Sequence, residues 1–270
     1  MSEIVLTAGV RSNLLQLQKT ADLITATQTK LATGKRVNSA LDNPINFFTA
    51  QGLSNRASDL GNLLDSMSNG VNTIQAANNG IGSITKLVQS AQALISQAQQ
   101  TADTAVRASL SVQFDAIRSQ IDTLSGDAGF NGINLLGGNN LTVTLNETGT
   151  SSVTISGVMY DSAGLAIAAS ANSWAADADI TAAATTLTNA LTNLRTQAQS
   201  FSTNLSTVQI RQEFTKAMIN TLQIGADALT LADSNEEGAN MLALQTRQQL
   251  STTALSLASQ AAQSVLRLFQ

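Results

Sequence analysis

Apolar residues recur in alternating steps of four and three along most of this chain, and that spacing is compatible with few folds besides packed helices. The first run is Val10, Leu14, Leu17, Ala21, Ile24, Gln28 and Leu31. The second is Leu53, Ala57, Leu60, Leu64, Met67, Val71, Ile74, Asn78 and Ile81, after which the stripe changes register to Ile84, Leu87, Ala91, Leu94 and Ala98. Leu110, Phe114, Ile117, Ile121 and Leu124 form a shorter run. A fourth comprises Leu187, Leu191, Leu194, Ala198, Phe201, Leu205 and Val208, resuming at Ile219, Leu222, Ala226 and Leu229. The last is Leu255, Ala258, Ala262, Val265 and Phe269. Steps of this kind keep one stripe turned toward a partner helix, as in a coiled coil. Pro44 is the single proline of 270 residues, so the main interruption to long helices is nearly absent.

Composition narrows the function. Aromatic residues make up only 3% of the chain, so its core rests on Ala, Leu, Ile and Val, which suit close helix packing. With no His and no Cys, the commonest general base, the thiol nucleophile and the usual zinc ligands are missing, and neither a catalytic site, a metal site nor a cofactor is expected. The formal charge of −4 and the lack of a basic patch argue against nucleic acid and anionic membranes. No stretch approaches the ~20 apolar residues that span a bilayer. The first residues, with only Ile4-Val5-Leu6 as an apolar run and no basic flank, do not read as a cleavable secretory signal.

The breaks between runs are also legible. Gly34 can end the first helix, and Asp42-Asn43-Pro44 restarts the chain, with Asp42 or Asn43 as cap and Pro44 near the first helical position. Gly126, Gly129, Gly132, Gly137 and Gly138 mark an irregular region. Leu141-Thr-Val143-Thr-Leu145 and Val153-Thr-Ile155 then alternate with the period of strands, which predicts a small β-hairpin near 141–155. Residues 157–180, rich in Ala and Ser, read as a loop or hinge. The fold class expected is mainly α: a long coiled-coil-like bundle formed by both chain termini, with one small β-hairpin.

At these breaks the chain resembles a known family. Thr27-Gln28 to Leu31, followed by Thr33-Gly34-Lys35-Arg36-Val37-Asn38-Ser39-Ala40-Leu41-Asp42-Asn43-Pro44, resembles the N-terminal signature of bacterial flagellins. Asn69-Gly70-Val71-Asn72-Thr73-Ile74-Gln75-Ala76-Ala77 resembles the next block, and Phe130-Asn131-Gly132-Ile133-Asn134-Leu135-Leu136 the segment before the family's hairpin. Asp233 to Asn240, and Gln248-Gln249-Leu250 through Val265-Leu266-Arg267-Leu268-Phe269, resemble the C-terminal block. One departure is Leu229-Thr230-Leu231-Ala232, which stands where the family usually has a Ser-Arg-Ile run.

The resemblance implies an inner coiled-coil domain, D0, from residues 1–42 and 226–270, and a helical domain, D1, from 43–225 that includes the hairpin. The short middle implies a minimal subunit without the outer domains D2 and D3. It also implies a structural subunit of the extracellular flagellar filament, exported without a cleavable signal peptide and polymerised with itself. A flagellar export chaperone, the filament cap and hook-associated proteins are the implied further partners. Two other readings stay open: a hook–filament junction protein, which shares the terminal domains, and a helical signalling rod built from similar heptads.

The stripes of the two ends supply the subunit-interface candidates Val10, Leu14, Leu17, Ala21, Ile24, Leu31, Leu255, Ala258, Ala262, Val265 and Phe269. Their many small and polar neighbours make an isolated helix pair marginal, so burial against other subunits is expected. Lys35, Arg36, Asp42, Asn43 and Pro44 are candidates for the inter-domain joint. Lys35-Arg36 reads as charge compensation at a helix C-terminus or an ion pair with a neighbouring subunit. Asp233, Glu236 and Glu237 read as a helix start in preference to an oxygen-ligand metal site.

Overall fold

The computed structural model describes residues 8–268. Among them run five long helices: α1 (Ala8–Thr33), α2 (Pro44–Gln100), α3 (Thr104–Asp127), α4 (Asp177–Thr230) and α5 (Ser234–Leu268). Two strands, β1 (Leu141–Thr144) and β2 (Ser152–Ile155), lie between α3 and α4. The expected mainly helical architecture with one hairpin is the one adopted. The chain divides into two compact units, one ending at Asn55 and resuming at Thr221, the other Arg56–Asn220. Both boundaries fall inside long helices, α2 and α4.

Within Arg56–Asn220 the heptad stripes are the core. Met67, Ile74, Ile81, Ile84, Val88, Ala91, Ile95 and Ala98 of α2 are buried in one cluster with Leu110, Phe114 and Ile121 of α3 and Leu187, Leu194, Phe201 and Val208 of α4. The register shift in α2 is present, but Val88 and Ile95 occupy the buried positions while Leu87 and Leu94 lie half-buried beside them. Two consecutive steps of three, Asn78–Ile81–Ile84, rotate the stripe without breaking the helix. In α4 the two runs are one. Gln212 and Thr215 carry the seam between Val208 and Ile219, Thr215 buried and Gln212 donating to Ser68 Oγ at 3.1 Å.

The irregular segment packs on the α2 backbone at two glycines. A Cβ at Gly80 would lie 2.7 Å from Leu136 Cδ1 and 2.8 Å from Ala128 Cβ. One at Gly70 would lie 2.7 Å from Val143 Cγ2. Neither glycine breaks α2, because the close approach repays its weak helix preference. Asn131-Gly132, with φ of 49° and 80°, makes the two-residue turn between Phe130 and Ile133, which exchange backbone hydrogen bonds. Asn134 then ends α3: its Nδ2 donates to the carbonyls of Ser125 and Gly126 at 2.7 and 3.0 Å, while its Oδ1 accepts from the amides of Leu136 and Gly137. Leu135 and Leu136 enter the core.

The hairpin pairs Leu141 with Ile155 and Val143 with Val153. Leu141, Val143 and Ile155 face the core, and Thr142 and Thr154 lie outward with hydroxyls 3.3 Å apart. Its tip is tied to α2 by an ion pair between Arg56 and Glu147. The Glu147 carboxyl sits below its ordinary pKa because it accepts its own backbone amide and the Arg56 guanidinium.

Of the two readings for residues 157–180, loop or hinge, the loop holds as far as the start of α4 at Asp177, and it is pinned in place. One face of α3 clamps them: Asp122 accepts the Ser162 amide at 2.6 Å, Arg118 donates to the Ile167 carbonyl at 2.9 Å, and Asp115 accepts the Ser170 amide and hydroxyl at 2.9 and 2.6 Å. Leu165, Ile167 and Trp174 are buried among the core residues. Asn172, Ser173 and Trp174 all take positive φ, a costly backbone held by seating the Trp174 ring against Phe114 at 5.1 Å. Low sequence information here hid three long-range anchors that lie on α3, some 40 to 55 residues away.

Arg107 closes the α2–α3 turn. Its buried guanidinium donates to the carbonyls of Ala98, Thr101 and Ala175 and to Asp177 Oδ1, at 3.1, 2.7, 3.4 and 2.6 Å. A cation thus meets the unpaired carbonyls at the C-terminus of α2 and ties them to the start of α4.

Candidate subunit interface and joint

The unit containing both ends is built on α1 packed along α5. The α1 face turned inward is Val10, Asn13, Leu17, Thr20, Ile24 and Thr27, of which only Thr20 and Thr27 are fully buried. The α5 face is Met241, Leu244, Gln248, Ser251, Leu255 and Ala258, all half-buried. The stripe read from the sequence is therefore rotated in part. Val10, Leu17 and Ile24 do line the pair, but Leu14, Ala21 and Leu31 are exposed and threonines take the alternate inward positions. The physical reason is fit. Small threonines let the helices approach, and Thr20 satisfies its hydroxyl by donating to the Gln16 carbonyl at 2.8 Å. Leu255 and Ala258 lie on the inner face of α5. Phe269 lies outside the described residues, as do the side chains of Ala262 and Val265.

The consequence is a surplus of outward leucines. Leu14, Leu15, Leu23 and Leu31 on α1, and Leu242, Leu250 and Leu257 on α5, are exposed. Single exposed leucines need no explanation, but seven on a pair of helices that bury so little between them leave an apolar excess on the surface of this unit.

The two links of this unit pair with each other. Gly34 ends α1 with φ of 67°, and its carbonyl accepts the Ala232 amide at 2.9 Å. Lys35 bridges Leu231, and the Arg36 amide donates to the Thr230 carbonyl at 2.8 Å. The Arg36 guanidinium donates to the Ala228 carbonyl at 3.0 Å. So Arg36 compensates a helix C-terminus, but that of α4 and not of the helix it follows. Sequence alone had no means of bringing residue 36 to residue 228.

The rest of the link is locally determined. Asp42 Oδ2 accepts the amides of Asn38 and Ser39, both at 2.9 Å, and the Ser39 hydroxyl. Those amides hold the Asp42 carboxyl below its ordinary value of 3.8. Of the two cap candidates, Asn43 is the one used: its Oδ1 accepts the Asn46 amide at 3.0 Å, with Pro44 at the first helical position. Asp233 plays the same part for α5, accepting the Asn235 amide at 2.8 Å. Glu237, nearly buried, pairs with Lys30 at 2.9 Å, a contact between α1 and α5 that the sequence reading missed. Only the helix pairing brings these two side chains within reach.

The sequence that builds this unit has counterparts among known proteins. The family profile described as "Bacterial flagellin N-terminal helical region" matches residues 7–141. Flagellin FljK of Caulobacter vibrioides is 31% identical across 100% of this chain and 99% of the relative. Flagellin FljM of the same organism is 30% identical over the same shares. A flagellin of Brucella melitensis is 25% identical across the whole of both chains. Matches of this length identify the chain as a member of the bacterial flagellin family.

Proposed function

We infer that this chain is a structural subunit of the bacterial flagellar filament and that it joins other copies through the outward faces of α1 and α5. The observation that carries this is the set of seven exposed leucines on α1 and α5 of a flagellin-family chain. Identical copies associating through two different surfaces that do not close into a ring generate a helical polymer, the tube of a swimming filament. Residues 1–42 and 226–270 serve as the inner domain D0 and 43–225 as D1, with no D2 or D3. Leu14, Ala21 and Leu31 lie on those outward faces, whereas Val10, Leu17, Ile24, Leu255 and Ala258 hold α1 and α5 together so that the outward faces are presented. Lys35, Arg36, Asp42, Asn43 and Pro44 form the joint between D0 and D1.

The role is mechanical, with no reaction to catalyse. The pair α1–α5 gains little by itself, so it is ordered chiefly by assembly, and the free subunit is loose there. An export chaperone, the filament cap and hook-associated proteins belong to the same reading. The experiment is electron microscopy of the purified chain after seeded or salt-induced assembly. Long hollow tubes of uniform width are expected. A chain that stays monomeric under every condition, and joins only preformed hook ends, sinks the reading in favour of a junction protein.

A further inference from the structure

Three asparagines of this chain are followed by glycine: Asn69-Gly70, Asn79-Gly80 and Asn131-Gly132. A glycine leaves its backbone amide unshielded, because no Cβ stands beside it. That amide nitrogen can attack the side chain of the asparagine before it, provided the backbone between them can turn and the N–H is not held elsewhere. The fold meets this condition at one of the three sites.

The two pairs in α2 are closed to the reaction. Asn69 and Asn79 are exposed, but the amides of Gly70 and Gly80 belong to the hydrogen-bond ladder of the helix Pro44–Gln100. Both glycines are buried, Gly70 under Val143 and Gly80 under Leu136 and Ala128, so the backbone there has no room to swing. Attack would require α2 to open in the middle of the core. Asn131-Gly132 stands apart. Both residues are exposed, and a Cβ on Gly132 would meet nothing within 4 Å. Among the described residues, neither the Gly132 amide nor the Asn131 side chain has a hydrogen-bond partner. The bonds between Phe130 and Ile133 hold the ends of the turn and leave its two central residues uncommitted.

We propose that Asn131 is a site of spontaneous covalent modification, at which water converts the asparagine to aspartate and isoaspartate. The Gly132 amide nitrogen gives its proton to solvent base and bonds to Asn131 Cγ. The Cγ–Nδ2 bond breaks, and Nδ2 takes up a proton and leaves as ammonia, so that a cyclic imide remains. One water then opens the ring. Cleavage between Gly132 N and Cγ gives aspartate; cleavage between Gly132 N and the main-chain carbonyl carbon gives isoaspartate. Nothing is oxidised or reduced. Either product adds one negative charge to a chain of net charge −4. Aspartate keeps the turn, since Asp-Gly suits the same positive φ values as Asn-Gly. Isoaspartate routes the main chain through Cγ, and the added methylene pulls apart the Phe130–Ile133 pair, whose bonds are 2.9 and 3.0 Å. The change thereby reaches the segment that seats Leu135 and Leu136 in the core.

The test follows the purified full chain, as monomer, in mildly alkaline buffer. Timed samples are digested, tandem mass spectrometry locates the mass gain of amide-to-acid conversion, and a protein isoaspartate methyltransferase labels isoaspartate. Asn131 is expected to convert roughly tenfold or more faster than Asn69 or Asn79, the difference being set by the opening of α2. In concentrated guanidinium chloride the three rates are expected to converge. Asn131→Gly keeps a turn that accepts positive φ and offers no side chain to attack, so the isoaspartate label of the folded chain is expected to vanish. Conversion of Asn69 or Asn79 as fast as Asn131 in the folded chain overturns the proposal, as does a folded chain unreactive at Asn131 while the unfolded chain reacts. A label undiminished in Asn131→Gly does the same. A preference for Asn131 that persists in full on unfolding overturns the role given to the fold.

Discussion

Replacing three outward leucines, Leu15, Leu23 and Leu250, by serine separates assembly from folding. In the single chain these side chains are 55%, 50% and 67% exposed, so they contribute little to the subunit's own stability. Surface changes of this kind stay within about 0.5 kcal/mol. Burying a whole leucine is worth about 1.5–3 kcal/mol, so covering the half or more still exposed gives about 1 kcal/mol for each. Three such losses amount to about 3 kcal/mol per subunit, which is about a hundredfold in critical concentration at 1.4 kcal/mol per tenfold. Sedimentation of polymer over a concentration series measures that quantity, and thermal unfolding of the monomer by circular dichroism gives the control. The reasoning is refuted if the triple variant polymerises at the wild-type concentration. It is equally refuted if the monomer's own stability falls by the full amount, about 3 kcal/mol, since the leucines would then be intramolecular core.

Four further outcomes are expected. Gly80→Val drives a branched side chain into Leu136 and Ala128 and costs about 1–3 kcal/mol of overpacking, seen as a lower unfolding midpoint in urea. Arg107→Met leaves the carbonyls of Ala98 and Thr101 unpaired; with the Asp177 pair discounted because that carboxylate is exposed, the loss is about 2–3 kcal/mol, and Arg107→Lys recovers little of it because an ammonium cannot fork between those acceptors. Asp42 has a folded pKa below its unfolded value, so its bracing of the link is present above pH 3.8 and is lost as pH falls through the lower folded value. The amide resonances of Asn38 and Ser39 should titrate with a midpoint under 3.8, and a midpoint above it, or one that persists in Asp42→Asn, counts against the assignment. Finally, amides of α1 and α5 should exchange far faster in monomer than in filament, whereas those of the 74–98 segment should be protected in both; strong protection of α1 in monomer would remove the case for assembly-driven ordering.

Much of the molecule follows from local sequence. The heptad spacing in α2, α3 and α4 places Ile74, Phe114 and Leu194 in the core because a helix period is a property of the chain itself. Gly34, Asn43 with Pro44 and the alternating strands announce their turns and caps for the same reason: backbone conformation and nearby hydrogen bonds decide them. What the tertiary structure alone decided are the choices between near-equal neighbours and the meetings of distant groups. Thr20 faces inward and Leu14 outward because helix separation, which no single stripe encodes, selects the smaller side chain. Val88 and Ile95 replace Leu87 and Leu94 because two steps of three rotate α2 beneath the rest of the core. Arg36 at the Ala228 carbonyl, Arg107 between Ala98 and Asp177, Lys30 beside Glu237, and the loop held on Asp115, Arg118 and Asp122 all depend on elements brought together from far along the chain. Each is a polar contact whose partner is set by packing, and packing is a property of the assembled helices that periodicity cannot carry.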